Sequence, residues 1–227
     1  MCSRFGVEGY EASKERRPGE TSVRFRPIAP MDRPEGEALM REWAAANGGD
    51  ARITGRIARN LNPVIHALRG ERELSLAWWW LHVDGAPAVY SAFNSRDDKL
   101  LRSWRAPFQH RGLLPASWYI EKGKRFALPE DECFGIAAIL APAPASGTAI
   151  SYSMVTREAV GEARAAHDRM PLVLPRELHD EWLDPSRRGD EELVQRAILA
   201  SNRISLALEI VEPPDARPDE DDEPTLF

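Results

Sequence analysis

Apolar positions recur with polar ones in several short segments of this 227-residue chain, in the pattern of strands. Segments rich in aliphatic and aromatic side chains, bounded by turn residues, favour strands over helices. The predicted strands are residues 74–82, 111–121, 124–128, 133–140, 149–156 and 205–211. The first of them contains Trp78, Trp79 and Trp80, and alternation along a strand is expected to bury at least one of these rings.

A helical pattern is found over residues 35–46, where Leu39, Met40 and Trp43 recur at a spacing of three to four. Pro34 suits the first helical position, and the following Asn-Gly-Gly segment can end the helix. The sequence therefore predicts one amphipathic helix before the main group of strands.

Two further helices are predicted in the second half, a short one after Pro175 and another after Asp190. Asp190 is a suitable N-cap, and two glutamates follow it in the positive first turn. Residues 6–33 are polar and interrupted by prolines, so we expect them to be mostly irregular, and 141–147 reads as a loop. Several strands with few helices, and no repeating βα alternation, predict an α+β fold: one domain with a mainly antiparallel sheet or barrel core and flanking helices.

Composition narrows the class of protein. Hydrophobic residues make up 43% of the chain, but no apolar run is long enough to span a membrane and no apolar leader begins it. Two cysteines and five histidines show no metal-ligand spacing, so we expect neither a metal site nor a cofactor. We expect a monomeric protein of the reducing cytoplasm, without a membrane partner.

The net charge of −6 is concentrated at one end. Residues 212–227 contain seven acidic residues and one arginine, a charge of −6, so residues 1–211 are neutral overall. The tail has little apolar content and is expected to be disordered. Arginines cluster early in the chain, at positions 16, 17, 24, 26, 52, 56 and 59. A neutral body with a basic face can bind a phosphate backbone.

Cys2 stands directly behind Met1. Removal of Met1 would give Cys2 a free α-amine and a thiol on adjacent carbons. Such a residue can act as an N-terminal nucleophile on an amide, with its own amine as base. It can also form an imine with an aldehyde, after which the thiolate closes a thiazolidine ring. Position alone leaves both possibilities open, whereas Cys133, within an apolar strand, reads as inert core.

Three more segments accompany MCSRF in a fixed order: FNSRDD, RGLLPASWYIEKGK and HDRMPLVLP. Together they resemble the SRAP family (SOS-response-associated peptidase), whose pattern is MCGRF, NARxE, RCLVPAxGFYEW and HxRMPVIL. The resemblance covers about residues 1–185, and HDRMPLVL is its most specific match. The chain departs from the pattern at Asp98, where the family has Glu, at Gly112 in place of Cys, and at Lys122 in place of an aromatic residue. In addition, LAWWWLH replaces the family's WGLIPSW.

The resemblance implies a sensor of abasic sites in single-stranded DNA. The mature N-terminal cysteine of this family forms a thiazolidine with the ring-opened aldehyde, which shields the lesion as a DNA–protein crosslink. The implied active residues are Cys2, Asn94, Glu121 and His167. A carboxylate can act as general acid–base in opening the sugar, and an imidazole can donate the proton that expels water during imine formation.

The resemblance also implies arginine contacts to DNA, and we assign these to Arg4, Arg96 and Arg169. Trp104 and Trp118 are candidates for stacking on a base. Two other classes of function stay open: an N-terminal-nucleophile peptidase or amidohydrolase, and a non-enzymatic binding module.

The tail ending in DEDDEPTLF resembles two bacterial docking signals. One is the acidic tip of single-strand binding proteins, and the other is the Leu-Phe-ending peptide that binds the sliding clamp. It is therefore a candidate docking peptide for a replication protein, with a solubilising acidic tail as the alternative.

Overall fold

A computed structural model describes residues 2–8, 26–142 and 149–211 of the chain. The strands are β1 (Arg4–Gly6), β2 (Asp50–Arg52), β3 (Leu61–His66), β4 (Glu73–Trp78), β5 (His82–Val83), β6 (Ala86–Pro87), β7 (Asn94–Arg96), β8 (Arg111–Ala116), β9 (Trp118–Glu121), β10 (Lys124–Ala127), β11 (Phe134–Ala141), β12 (Ser151–Glu158), β13 (Arg169–Pro171), β14 (Val173–Leu174) and β15 (Glu209–Val211). The α-helices are α1 (Pro34–Asn47), α2 (Ala163–Ala166), α3 (His179–Leu183) and α4 (Glu191–Leu206).

The first helix has the predicted boundaries within one residue. Pro34 lies in the first turn of α1, and Gly48 ends the helix in the left-handed conformation, with φ of 66°. The Gly48 N–H donates to the Ala44 carbonyl, so one of the last carbonyls of α1 is paired. Met40 and Trp43 are buried, as the spacing predicted.

The last helix begins where the capping signal predicted but ends later. The Asp190 carboxylate accepts a hydrogen bond from the Leu193 N–H at 3.0 Å. The prediction of a strand over 205–211 is wrong in its first half, because Ser205 and Leu206 are the last residues of α4. The strand β15 starts only at Glu209. The short helix predicted after Pro175 is a 3-10 turn that leads into α3.

Five strands form an antiparallel sheet in the order β15, β10, β9, β1, β2. The strand β1 has neighbours on both sides, with Phe5 opposite Tyr119 of β9 and Ala51 of β2. The segment that follows Cys2 is therefore an interior strand of this sheet.

A second sheet closes on itself. Its ring runs β12, β4, β3, β8 and β11, and pairing between β11 and β12 closes it. Most pairs are antiparallel, but β12 pairs in parallel with β4 and β7. The strands β13 and β14 extend the ring at β12 and β11. The predicted α+β fold with an antiparallel sheet and barrel core is confirmed.

The strand predicted over 111–121 is two strands in two sheets. The break falls at Ser117, whose N–H donates to the Gly6 carbonyl at 2.8 Å and whose Oγ accepts from the Glu8 N–H. The predicted strand 74–82 is also too long, since β4 ends at Trp78 and the Trp80 N–H donates back to the Trp78 carbonyl.

The core lies inside the barrel and between the two sheets. Trp79 is fully buried, stacks on Tyr152 at a centroid distance of 5.9 Å, and meets Phe5 edge-on at 5.1 Å. This confirms the expected burial of at least one ring of the tryptophan run. Cys133 is likewise buried, and burial raises the pKa of its thiol to about 12.

Some predictions fall partly or wholly outside the described residues. In the segment predicted to be irregular, 26–33 contains no helix or strand, whereas 9–25 lies outside the description. Most of the loop at 141–147 and the whole tail 212–227 also lie outside it. Within the described part of the chain, no helix is long and apolar enough to cross a bilayer.

Candidate active site

Cys2 lies immediately before β1 and is only 1% exposed. Its Sγ donates to the Arg4 carbonyl at 3.3 Å. The pKa of the thiol is raised to about 12, mainly by burial and also by the negative charge of Glu121, which together outweigh a lowering by the Arg4 backbone. The side chain is therefore a thiol, not a thiolate, at neutral pH.

Asn94 connects Cys2 to the barrel. It lies on β7, opposite Met154 of the parallel strand β12. Its Nδ2 donates to the Cys2 carbonyl oxygen at 2.7 Å. The other amide atom, Oδ1, is buried and accepts no hydrogen bond from the described residues. Asn94 thus fixes the Cys2 backbone with one atom and presents an acceptor with the other.

Glu121 ends β9 and is 3% exposed. Period-2 alternation places it on the same face of β9 as Tyr119, which is fully buried. Its electrostatic effect on Cys2 shows that the carboxylate lies near the thiol. The structure therefore brings together three of the four predicted active residues, Cys2, Asn94 and Glu121.

His167 follows α2, and its ring contacts two residues of its own segment, Arg169 and Asp168. Nδ1 accepts a hydrogen bond from the Arg169 N–H at 2.9 Å, and it lies 2.6 Å from Asp168 Oδ1. The first contact requires a lone pair on Nδ1 and the second requires a proton there, so they belong to the neutral and the protonated ring respectively. In either state Nε2 carries a proton that can be donated.

The three predicted DNA-binding arginines all have acidic partners. Arg4 pairs with Asp50, its Nε donating to the two carboxylate oxygens at 3.1 and 2.9 Å. Arg96 pairs with Asp98 at 2.9 Å on the surface. Hydrogen bonding from Arg96 lowers the pKa of Asp98, which keeps this carboxyl ionised.

Arg169 differs from the other two arginines because it is mostly buried. Its guanidinium contacts Asp97 at 2.5 Å and the Thr156 carbonyl. These contacts join the HDRMP segment to the residue that follows Arg96. The predicted DNA contact of Arg169 stays a prediction, and the structure adds a role in holding two motif segments together.

The two predicted stacking residues are each 8% exposed. The Trp118 ring has two guanidinium groups over it, Arg4 at 5.6 Å and Arg125 at 4.9 Å. Trp104 lies against Tyr90, with ring centroids 6.0 Å apart, and lines a cavity of about 570 Å³. Neither contact tests stacking on a base, which stays a prediction for both residues.

Sequence reasoning missed the aromatic hydroxyls near Cys2. Burial raises the pKa values of Tyr119 and Tyr152, and the charge of Cys2 adds to this increase, which a hydrogen bond with Asn62 opposes at Tyr152. Alternation could have identified Tyr119, because it lies two residues from Glu121. Among the described residues, no group of three or more His, Cys, Asp or Glu side chains is placed to hold a metal ion.

The sequence model of the SOS response associated peptidase (SRAP) family matches residues 1–212. The chain belongs to the SRAP family. This membership supports a role in the SOS response and in binding abasic sites in DNA.

Similar solved structures show the same fold as this SRAP chain. A phage-related protein from Bordetella bronchiseptica is 20% identical with a TM-score of 0.57, over 94% of this chain and 95% of that one. A second protein from Bordetella bronchiseptica is 19% identical with a TM-score of 0.53, over 80% and 88%. A protein from Bacteroides thetaiotaomicron is 19% identical with a TM-score of 0.52, over 65% and 72%. A search of curated proteins finds no match.

Proposed function

We propose that this SRAP protein recognises abasic sites in single-stranded DNA and shields them as a thiazolidine crosslink through Cys2, after removal of Met1. The hydrogen bond from Asn94 Nδ2 to the Cys2 carbonyl, at 2.7 Å, is the observation that supports it most. It joins two motif residues that are 92 positions apart and fixes the backbone of the residue whose amine would react.

The first chemical task is to open the sugar, which is mostly a closed hemiacetal. Glu121 is buried near Cys2 and can take the hydroxyl proton and return one to the ring oxygen. The amine of mature Cys2 then adds to the aldehyde carbon and gives a carbinolamine. The buried Oδ1 of Asn94 is an acceptor suited to an N–H of that amine.

The second task is loss of water from the carbinolamine, for which the leaving hydroxyl needs a proton. His167 can supply it from Nε2, while Nδ1–H of the protonated ring donates to Asp168. After the proton has left Nε2, Nδ1 keeps its own proton and its contact with Asp168, and Nε2 becomes the acceptor nitrogen of the neutral ring. The imine carbon is then attacked by the Cys2 sulfur, and the five-membered ring closes.

The test is to mix the protein lacking Met1 with single-stranded DNA that contains one abasic site. We expect a heat-stable adduct with the mass of protein plus DNA minus one water. DNA carrying a reduced abasic site, which has no aldehyde, should give none. A heat-stable adduct formed equally well by protein that retains Met1 would contradict the mechanism, because the Cys2 nitrogen is then an amide.

The two cysteines provide a matched pair of variants. Cys2→Ala keeps the amine and loses the thiol, so it should form only a borohydride-trapped imine that heat reverses. Cys133→Ala removes the other thiol, which is equally buried, and should leave the heat-stable adduct in place. Adduct formation that depends on Cys133 would move the nucleophile away from the N-terminus.

The family description, which includes the word peptidase, favours a second candidate function. In it, Cys2 is the nucleophile toward an amide carbonyl, with its own α-amine as base. Release of product from amide substrates, without any adduct on abasic DNA, would favour this activity. Binding of DNA with neither reaction would leave a binding module.

A further inference from the structure

Tyr119 has a buried hydroxyl that the proposed mechanism does not use. The residue is fully buried, and its Oη has no hydrogen-bond partner among the described residues. A buried polar group without a partner is costly, and such groups in native proteins commonly have a functional reason. Its place, beside the proposed nucleophile, suggests what that reason is.

The sheet places Tyr119 beside the strand that directly follows Cys2. Tyr119 is opposite Phe5 of β1, three residues after Cys2, and shares a face of β9 with Glu121. Its ring is held from one side by Phe126, stacked at 5.0 Å and 15°. The charged groups that act on Cys2 are the Glu121 carboxylate, which raises the pKa of the thiol, and the N-terminal amine, which lowers it. The charge of Cys2 in turn acts on Tyr119 and Tyr152.

A thiolate at this position is disfavoured in two ways. Burial removes its solvation, and the carboxylate of Glu121 repels it, so the pKa of the thiol is high. The same burial raises the pKa of Tyr119, so its hydroxyl keeps its proton and can only donate to an anion. A hydrogen-bond donor of this kind offsets both penalties when charge forms on the sulfur.

We propose that Tyr119 donates a hydrogen bond to the Cys2 sulfur as it becomes a thiolate and thereby assists ring closure. In that step the S–H proton passes to Glu121 and the C–S bond forms at the imine carbon. The C=N π pair moves to nitrogen, which takes up a proton. Tyr119 keeps its own proton throughout. The ring-closing role rests on the proposed crosslinking function, whereas donation to the thiolate does not.

The first experiment measures the sulfur without DNA. Protein is alkylated with iodoacetamide between pH 8 and 10, and modification is followed on the N-terminal peptide so that Cys133 does not contribute. Without the hydrogen bond from Tyr119, the pKa of the Cys2 thiol rises and a smaller fraction is thiolate at each pH. A more basic thiolate is also a stronger nucleophile, which offsets part of this loss in rate. For Tyr119→Phe we expect alkylation to be about 3- to 15-fold slower at each pH.

Tyr90→Phe is the matched control. Tyr90 is half-exposed and lies against Trp104, and removing its hydroxyl should leave the alkylation rate unchanged. Phe is also the residue that the family pattern RCLVPAxGFYEW has at the Tyr119 position, which favours a folded variant. If Tyr119→Phe fails to fold, replacing Tyr119 by 3-fluorotyrosine keeps the hydrogen-bond donor and makes its hydroxyl more acidic. Alkylation should then become faster.

The second experiment separates the two bonds of the crosslink. With abasic single-stranded DNA, Tyr119→Phe should form the borohydride-trapped imine at the wild-type rate. The heat-stable adduct should follow more slowly, by a similar 3- to 15-fold factor. Wild-type alkylation by Tyr119→Phe would overturn the proposal, even if imine formation slowed. If Tyr119→Phe is alkylated more slowly but neither the variant nor wild type forms a DNA adduct, Tyr119 still donates to the thiolate, and the proposed crosslinking function is refuted.

Discussion

Gly6 determines how closely β1 approaches the Trp118 ring. A Cβ atom at this position would lie 2.2 Å from Trp118 Cζ2 and 2.5 Å from the Gly49 carbonyl oxygen. Gly6→Ala must therefore displace β1 or the ring, and we expect it to lower the free energy of unfolding by about 1–3 kcal/mol. Urea unfolding measures the loss, with Ser3→Ala at a neighbouring exposed position as the control. Equal unfolding midpoints for Gly6→Ala and wild type would refute this account of β1.

Arg4 is expected to act in DNA binding and not in the chemistry of Cys2. The Arg4 guanidinium is partly exposed beside Asp50 and can reach a phosphate from there. Arg4→Ala should weaken binding to single-stranded DNA and reduce its salt dependence, because fewer counterions are released. Binding is measured between 50 and 200 mM salt, the range over which such contacts lose strength.

Two comparisons control the Arg4 measurement. Arg41→Ala removes an exposed arginine of α1 that pairs with Glu37, and it should leave the affinity near that of wild type. The rate at which Arg4→Ala reacts with a small free aldehyde should also be unchanged. Loss of that reaction would show that Arg4 supports Cys2 itself.

At the residue scale, the sequence selected residues that lie together but did not indicate their surroundings. The resemblance selected Cys2, Asn94 and Glu121, and the structure brings these three together. The resemblance did not indicate that two arginines would lie over the Trp118 ring, since Arg125 is on another strand. Such contacts depend on which strands are neighbours, and strand order is not encoded in any local pattern.

At the scale of elements, Asp190 provides a measurable test of helix capping. Its carboxylate accepts the Leu193 N–H, so Asp190→Ala should lower the free energy of unfolding by about 0.5–2 kcal/mol. Asp190→Asn keeps an acceptor oxygen while it removes the charge that pairs with Arg187. Asp190→Asn should lower the free energy of unfolding by less than Asp190→Ala, because an exposed ion pair contributes little. Equal losses in thermal or urea unfolding would assign the effect to the ion pair and not to the cap.

Helix starts were predictable because capping signals are local, and both α1 and α4 begin at the expected residues. Strand ends were less predictable. Residues 111–121 form one continuous apolar pattern, yet Ser117 divides it because the chain passes from the barrel to the open sheet there. Residues 205–211 are apolar enough for a strand, but α4 packs on β14 and retains Ser205 and Leu206.

At the scale of the whole molecule, buried histidines should make stability depend on pH. Burial lowers the pKa of His179 to about 4, below the ordinary value of about 6.5. The unfolded chain therefore binds a proton before the folded one does as pH falls through this interval. Stability is fully present above about pH 6.5 and declines toward pH 4, by about 2 kcal/mol from His179 at pH 4.5.

Urea unfolding at pH 7 and pH 4.5 measures this decline. His179 Nε2 lies 3.0 Å from the Leu174 carbonyl oxygen, to which the neutral ring donates. Gln also carries a donor there but does not titrate, so His179→Gln should reduce the pH dependence. If the variant and wild type lose the same stability between the two pH values, His179 is not the group responsible.

The interior position of β1 has a consequence for the order of events during synthesis. Phe5 pairs with Tyr119, which is made 114 residues later. At ordinary translation rates the N-terminal segment waits on the order of ten seconds for this partner. Under the proposed function, Met1 is removed most readily within that interval, because Cys2 is only 1% exposed once the sheet has formed. Removal of Met1, which frees the Cys2 amine, therefore competes in time with folding of the sheet. A chain that folds with Met1 still attached is expected not to react with an aldehyde.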